Sequence, residues 1–361
     1  MGAPLAGCAP RRAAAHAGSF STRHGPKSDR LLGRGILALP RSGVELMERI
    51  AERWRWFIFR VRFHPLTTNE LPRLASTVND YVALTRLDRP IGIWLLLWPT
   101  LWAVWIGSRG QPKPLIFIIF VAGTVLMRSA GCAINDYADR SFDPQVERTK
   151  DRPLAAGRLS ALEALVLFAI LSLAALVLAL QLNRLTLLWA VAGAFIAVTY
   201  PFVKRFLSVP QLYLGLAFGA GIPMAFAAQL EFVPRVAWLL LLANILWVTV
   251  YDTMYAMVDR NDDLRIGVKS TAILFGDSDR HIIAVLQVMT LVTLYLVGKT
   301  IHAGTWYHAG LAAGALFFIY QLWLIRARDR EGCFRAFLNN NYFGMSVFIG
   351  LALEYQFARG S

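Results

Sequence analysis

Apolar runs of about 20 residues, the length that carries a helix across a ~30 Å hydrocarbon core, recur from residue 91 towards the C-terminus. The pattern predicts nine spans, near 91–107, 114–134, 160–181, 185–201, 209–229, 235–257, 281–299, 304–325 and 341–358. Local signals mark several beginnings: Pro114 opens the second span, Ser160 and Glu163 form a capping box at the third, and Pro234 precedes the sixth. Gly215 and Gly219 make a GxxxG pair in the fifth span, suited to a close helix neighbour, and Pro223 predicts a kink there. Two amphipathic stretches precede the spans. In one, Met47, Ile50, Trp54, Phe57 and Val61 step by three or four. The other, Leu74 to Leu87, overlaps RLDRP at Arg86–Pro90, and a position along the membrane surface is expected for it. The fold class is all-α: a polytopic membrane bundle of about nine transmembrane helices around a central cavity.

Composition supports this reading, with 56% hydrophobic residues in a chain of 361 and a mean hydropathy of +0.48. The net charge of +14 comes from the N-terminal segment and the loops, without the aromatic interleaving of a nucleic-acid surface, so nucleic acid is excluded as a partner. The basic residues also orient the bundle. Arg140, Arg148, Lys150, Arg152, Arg158, Lys204, Arg205, Arg260, Arg265, Lys269, Arg280, Arg326, Arg328, Arg330 and Arg335 fall in even-numbered loops, against only Arg109, Lys113, Arg184, Arg235 and Lys299 in the odd ones. Residues 1–28 carry Arg11, Arg12, Arg23 and Lys27 and no acid before Asp29, which is transit-peptide composition. The expected organisation is a mitochondrial transit peptide and basic segment over 1–62, an amphipathic interfacial segment over 63–90 and a transmembrane domain over 91–358, in the mitochondrial inner membrane with the positive loops in the matrix. Cys8, Cys132 and Cys333 fit neither a zinc site nor a disulfide framework.

Two polar clusters interrupt the apolar pattern on the positive side, Asn135–Pro153 (NDYADRSFDPQVERTKDRP) and Asp252–Ser270 (DTMYAMVDRNDDLRIGVKS). Asn135, Asp139 and Asp143 are four residues apart and predict one stripe on a helix, with Pro144 ending it at Asp143. Asp259 and Asp263 repeat the step, with Asp252 two turns earlier and Asp262 beside them. Carboxylates crowded in this way repel one another unless a divalent cation lies between them, and oxygen-only ligation points to Mg2+, which keeps a few carboxylates and shares its other positions with water and substrate phosphates. Arg148, Lys150, Arg152, Lys204, Arg205 and Lys269 supply cations for such phosphates, so acidic and basic groups are expected to do separate work. The plainer alternative is that these loop charges are solvated and only set topology. Tyr200 and Pro201 could equally be an interfacial anchor and a helix stop. Arg128 is a permanent charge inside the second span, seven residues and ~10 Å of helical rise below Asn135. It either pairs with a carboxylate from another span or binds an acidic substrate.

The motifs RLDRPIGIWLLLWP, NDYADRSFD, RTKDRPL, TYPFVKR, PMAFAA and YDTMYAMVDRNDD followed by GVKSTAILFG, from about residue 80 onward, resemble the UbiA superfamily of membrane-embedded aromatic prenyltransferases, in particular its mitochondrial branch acting on 4-hydroxybenzoate. The resemblance implies that Asn135, Asp139, Asp143, Asp259 and Asp263 arrange Mg2+ around a polyprenyl diphosphate, that these four aspartates are catalytic, and that Arg148, Arg152 and Lys204 hold the diphosphate. It implies Arg128 and Tyr200 for the aromatic substrate. The implied reaction places a polyprenyl chain ortho to the hydroxyl of 4-hydroxybenzoate, a step towards ubiquinone. The implied partners are the two substrates and the lipid bilayer, with association with other ubiquinone-synthesis enzymes left open. Homogentisate or a naphthoate as acceptor, and a transporter using the same charges, are the alternatives.

Overall fold

A computed structural model describes residues 70–267 and 269–358. The transit-peptide segment and the amphipathic stretch at 44–61 lie outside the described residues. Within them the chain is helical, with no strand. Helix α1 (Glu70–Thr85) precedes α2 (Ile91–Gly107), α3 (Pro114–Asp139), α4 (Ala161–Ala179) and α5 (Arg184–Val203). The rest are α6 (Pro210–Gly219), α7 (Gly221–Leu230), α8 (Arg235–Ile266), α9 (Thr271–Phe275), α10 (Asp279–Thr300), α11 (Thr305–Leu324) and α12 (Arg330–Leu353).

Seven stretches among the described residues are long and apolar enough to cross a bilayer, counting α6 with α7 and α9 with α10 as one each. Of the other two expected spans, α2 is apolar but has 17 residues. The last runs over Arg330–Leu353 instead of 341–358, because Asp329 caps it by accepting from the Gly332 amide at 2.7 Å, and its first half carries Arg330, Glu331, Arg335 and three asparagines. The protein is a multi-pass integral membrane protein, with α4 and α5 presenting large apolar side chains such as Leu162, Ile170, Leu188 and Phe195 outward.

The local signals work as expected at the helix starts. Pro114 is the first residue of α3, and Ser160 and Glu163 satisfy each other's backbone amides at the start of α4. The fifth span breaks at Ala220, three residues before Pro223, whose missing N–H cannot serve the carbonyl of Gly219. The GxxxG pair packs on α8. A Cβ on Gly215 would lie 2.9 Å from Ile245 Cα, and Asn244 on α8 donates to the Gly215 carbonyl at 3.0 Å. Pro201 does not stop α5, which continues to Val203; a proline in the last turn leaves the following residues free to complete it.

The centre of the bundle is α8, whose apolar window is the most buried of the candidate spans. Against it stand α2 and α12, where Trp102 stacks on Trp247 at 5.3 Å and the Trp247 indole donates to Asn340 at 2.8 Å. Helix α1 does more than lie along a surface. Leu84 is fully buried with Ala133, Leu154, Leu159 and Ala164, Tyr81 donates to Glu163 at 3.0 Å, and Arg158 donates to Asp80 at 2.8 Å. It is thereby docked on α3, α4 and the loop between them.

Candidate active site

A cavity of ≈ 1820 Å³ runs along most of α3, is lined also by α5, α6 and α8, and takes in the loop that follows α3. Arg128, Asn135, Asp139, Asp143, Arg148, Arg152, Tyr200, Lys204, Asp259 and Asp263 all line it. Two clusters whose first residues, Asn135 and Asp252, are more than a hundred positions apart therefore share one space.

On α8 the helical period places Asp252, Asp259 and Asp263 on the cavity face. Asp262, one residue away, is turned by roughly 100° and pairs with Arg330 of α12 at 2.9 Å and with Arg265 at 3.9 Å. The expectation that Asp262 joins its neighbours is corrected on this ground. In the first cluster the stripe is shorter than predicted. Helix α3 ends at Asp139, where Asn135 donates to Asp139 at 3.0 Å, and Asp143 opens a separate 3-10 turn with Pro144. Asp143 reaches the cavity through the loop, its carbonyl accepting from Thr149 Oγ1 at 2.8 Å. Burial pushes the Asp143 carboxyl above the ordinary range, with the Arg152 guanidinium pulling the other way.

Acidic and basic groups do not stand apart. Lys204 Nζ lies 2.5 Å from Asp139 and 3.1 Å from Asn135 Oδ1. Arg148 holds Asp259 through Nε at 3.0 and 2.9 Å and through Nη2 at 2.5 Å, and also donates to the Tyr255 hydroxyl. Arg152 lies 2.9 Å from Asp143 Oδ2. The two kinds of charge pair with one another, since a charge in a cavity walled by apolar helices is stabilised by a counter-charge. Asp263, by contrast, has no ion pair among the described residues.

This donor set suits a hard divalent cation in a particular way. All candidate ligands are oxygens, yet among the described residues no three acidic, His or Cys side chains gather closely enough to hold an ion by themselves. Such a site matches an ion that takes one or two carboxylates and completes its shell with phosphate and water oxygens.

Deeper in the cavity, Arg128 Nε is buried with no hydrogen-bond partner, and its guanidinium lies 5.4 Å from the centre of the Phe218 ring. Among the described residues it forms no ion pair, so the alternative of a carboxylate from another span is not realised. Gly92 of α2 faces it, and a Cβ there would collide with the guanidinium. Tyr200 stacks on Tyr213 at 6.5 Å, with Lys204 Nζ 5.8 Å from its ring centre. Sequence reasoning did not find Arg86 and Asp136, which also line the cavity and bond at 2.9 Å. Asp136 lies off the four-residue stripe, and Arg86 gave no signal beyond its place before Pro90.

The cavity belongs to a fold met elsewhere. Residues 96–347 match the model of the UbiA prenyltransferase family. The 4-hydroxybenzoate octaprenyltransferase of Nitrosococcus oceani is 58% identical over 275 residues, 76% of this chain and 96% of that protein. The apo structure of a UbiA homologue from Aeropyrum pernix K1 superposes with a TM-score of 0.63 at 26% identity, over 72% of this chain and 96% of that one. A UbiA homologue from Archaeoglobus fulgidus, described as bound to GPP and Mg2+, does so with a TM-score of 0.61 at 17% identity, over 76% and 99%. The chain belongs to the UbiA prenyltransferase family.

Proposed function

We propose that this protein transfers a polyprenyl chain from polyprenyl diphosphate to the ring carbon ortho to the hydroxyl of 4-hydroxybenzoate, the prenylation step of ubiquinone synthesis. The observation that carries the reading is a single cavity with paired carboxylates and cations at one end and, deeper in, an Arg128 that makes no ion pair among the described residues. The identity of the Nitrosococcus relative supports the acceptor.

Asn135, Asp139 and Asp143 on one side and Asp259 and Asp263 on the other would hold Mg2+, which when bound neutralises charge on a diphosphate. Arg148, Arg152 and Lys204 are placed to exchange their carboxylates for diphosphate oxygens, so the negative charge that develops as the allylic C–O bond breaks is met by fixed cations. Arg128 receives the carboxylate of 4-hydroxybenzoate by charge-assisted hydrogen bonds, which sets the ring below the diphosphate, with Tyr200 beside it. The apolar lining from α4 and α5 keeps water from the allylic cation. An aspartate of α8 orients the phenol or takes the ring proton lost on rearomatisation.

The protein sits in the mitochondrial inner membrane with the cavity end towards the matrix and loses part of residues 1–62 on import, on the strength of the loop charges and the acid-free start. Purified full-length protein in detergent should form 3-polyprenyl-4-hydroxybenzoate with added Mg2+, lose the activity with chelator and regain it on metal return. Turnover that persists in chelator would overturn the metal assignment. Prenylation of homogentisate in preference to 4-hydroxybenzoate would overturn the acceptor.

A further inference from the structure

Asp136 is the most buried acid of the first cluster, 1% exposed against 7% for Asp143. Arg86 Nη2 donates to both of its oxygens, at 3.0 and 2.9 Å, and Arg152 Nη1 donates to Oδ1 at 2.9 Å. The same Arg152 nitrogen lies 3.2 and 2.9 Å from the oxygens of Asp143. All of these bonds from Arg152 leave through Nη1. Its Nε and Nη2 make no hydrogen bond among the described residues, and the side chain borders the cavity. One edge of the guanidinium is anchored, while the other remains available to a ligand.

The Arg86 side of this arrangement is held at a cost. Arg86 has φ 58, a left-handed conformation that residues other than glycine adopt reluctantly. It ends α1, and its Nη1 also donates to the Ala83 carbonyl. Docking of α1 through Leu84, Tyr81 and Asp80 keeps the turn in place. The strained turn therefore delivers a permanent cation to a carboxylate that the four-residue stripe does not include.

The geometry points to Asp136 as a positioning residue: it is the fixed anchor of Arg152, with Arg86 as its second cation, and Asp143 is the partner that Arg152 releases when a diphosphate enters. This rests on the proposal that the cavity takes a prenyl diphosphate. The charges explain the division. Arg86, Asp136, Arg152 and Asp143 sum to zero, so recruiting Asp143 to a metal ion leaves one positive charge, on Arg152, beside the incoming diphosphate. Asp136 cannot serve in the same way, since a metal would have to displace two guanidinium groups from a carboxylate that water hardly reaches. Neutralising Asp136 would leave Arg86 and Arg152 as adjacent like charges and turn Arg152 wholly onto Asp143.

The test is steady-state kinetics of the full chain in detergent at saturating Mg2+, varying each substrate in turn, for Asp136→Asn, Arg86→Gln and the double variant. Asp136→Asn should raise KM for the prenyl diphosphate about tenfold, the size of one charge-assisted hydrogen bond, and leave KM for 4-hydroxybenzoate within about twofold. Arg86→Gln should shift the same KM by a few-fold, and the double variant should be no worse than Asp136→Asn, since both act on one anchor. Equal rises in both KM values, or additive effects, would reduce Asp136 to a packing role. A fall in kcat with unchanged diphosphate KM, together with a higher Mg2+ requirement in a separate metal titration, would make it a metal ligand instead. If Asp136→Asn does not fold, Arg86→Lys decides: a point charge replaces a fork, so diphosphate KM should rise about threefold, and an unchanged value overturns the inference. Calorimetric binding of geranyl diphosphate separates this from the reading beneath it. Wild-type protein that binds geranyl diphosphate but does not prenylate 4-hydroxybenzoate has the wrong acceptor assigned, and weaker binding by Asp136→Asn would still uphold the anchor. Wild-type protein that binds no prenyl diphosphate removes both.

Discussion

The two polar clusters face each other across one cavity, yet they are built differently. The second is an uninterrupted part of α8, a 32-residue helix, so the direction of every acid follows from its position in the turn: Asp252, Asp259 and Asp263 inward, Asp262 towards α12. The first is half helix and half loop. Asn135 and Asp139 are on α3, while Asp143, Arg148 and Arg152 are set by a 3-10 turn, a proline and bonds such as that from Thr149 to the Asp143 carbonyl. A rigid helix presents ligands at fixed spacing, and a loop can give up one partner and take another. The pairing of Arg152 with two carboxylates belongs to the adaptable side, and Asp263, which has no ion pair among the described residues, to the rigid side.

Substitutions on each side test this contrast. The largest effect is expected for Asp263→Ala and Asp139→Ala, each lowering turnover about 100-fold or more, on the scale of losing one group that stabilises developing charge. Both proteins should still insert and purify as wild type, and near-wild-type rates in either would break the two-sided site. Arg128→Lys comes next. KM for 4-hydroxybenzoate should rise about tenfold, with the diphosphate KM nearly unchanged, because a fork for a carboxylate becomes a point charge. The reverse pattern would assign Arg128 to the other substrate.

Asp259→Asn should also lower turnover, but by less than Asp263→Ala, because the amide oxygen can still ligate a cation and still accepts from the Arg148 guanidinium. Asp262→Ala, three residues further along the same helix, should leave both KM values within about twofold. Its pairs with Arg330 and Arg265 are partly solvent-exposed, so the loss is expected to be no more than about 1 kcal/mol of stability, read as a small fall in the melting temperature. Equal kinetic losses in Asp259→Asn and Asp262→Ala would mean that the helical phase of α8 does not govern which acids act.

The gathering of these acids in one cavity was largely legible in the chain because they obey helical spacing. Asn135 with Asp139, and Asp259 with Asp263, are four apart, and that spacing survives wherever the backbone is a helix. It fails at Asp143, where Pro144 has already ended α3, and it says nothing about Asp136, whose importance comes from Arg86, fifty residues earlier. The span pattern was legible for the same reason, since bilayer thickness imposes a length on apolar runs. The last helix was misplaced because Asp329 caps a segment whose first half is polar but lies against the bundle, with Cys333 and Ala336 fully buried.

What the sequence by itself determined is the all-helical membrane class, that both polar clusters lie on one side, and the helical spacing of their acids. These follow from hydrophobic length, charge asymmetry and periodicity, which are local properties of the chain. Only the tertiary structure decided which cation neutralises which acid: Lys204 on Asp139, Arg148 on Asp259, and Arg152 between Asp136 and Asp143, with no ion pair to Arg128 among the described residues. Such pairings depend on how α1, α5 and α8 approach α3 and its loop, and in a site shielded from water a few ångströms of approach separate a paired charge from an isolated one.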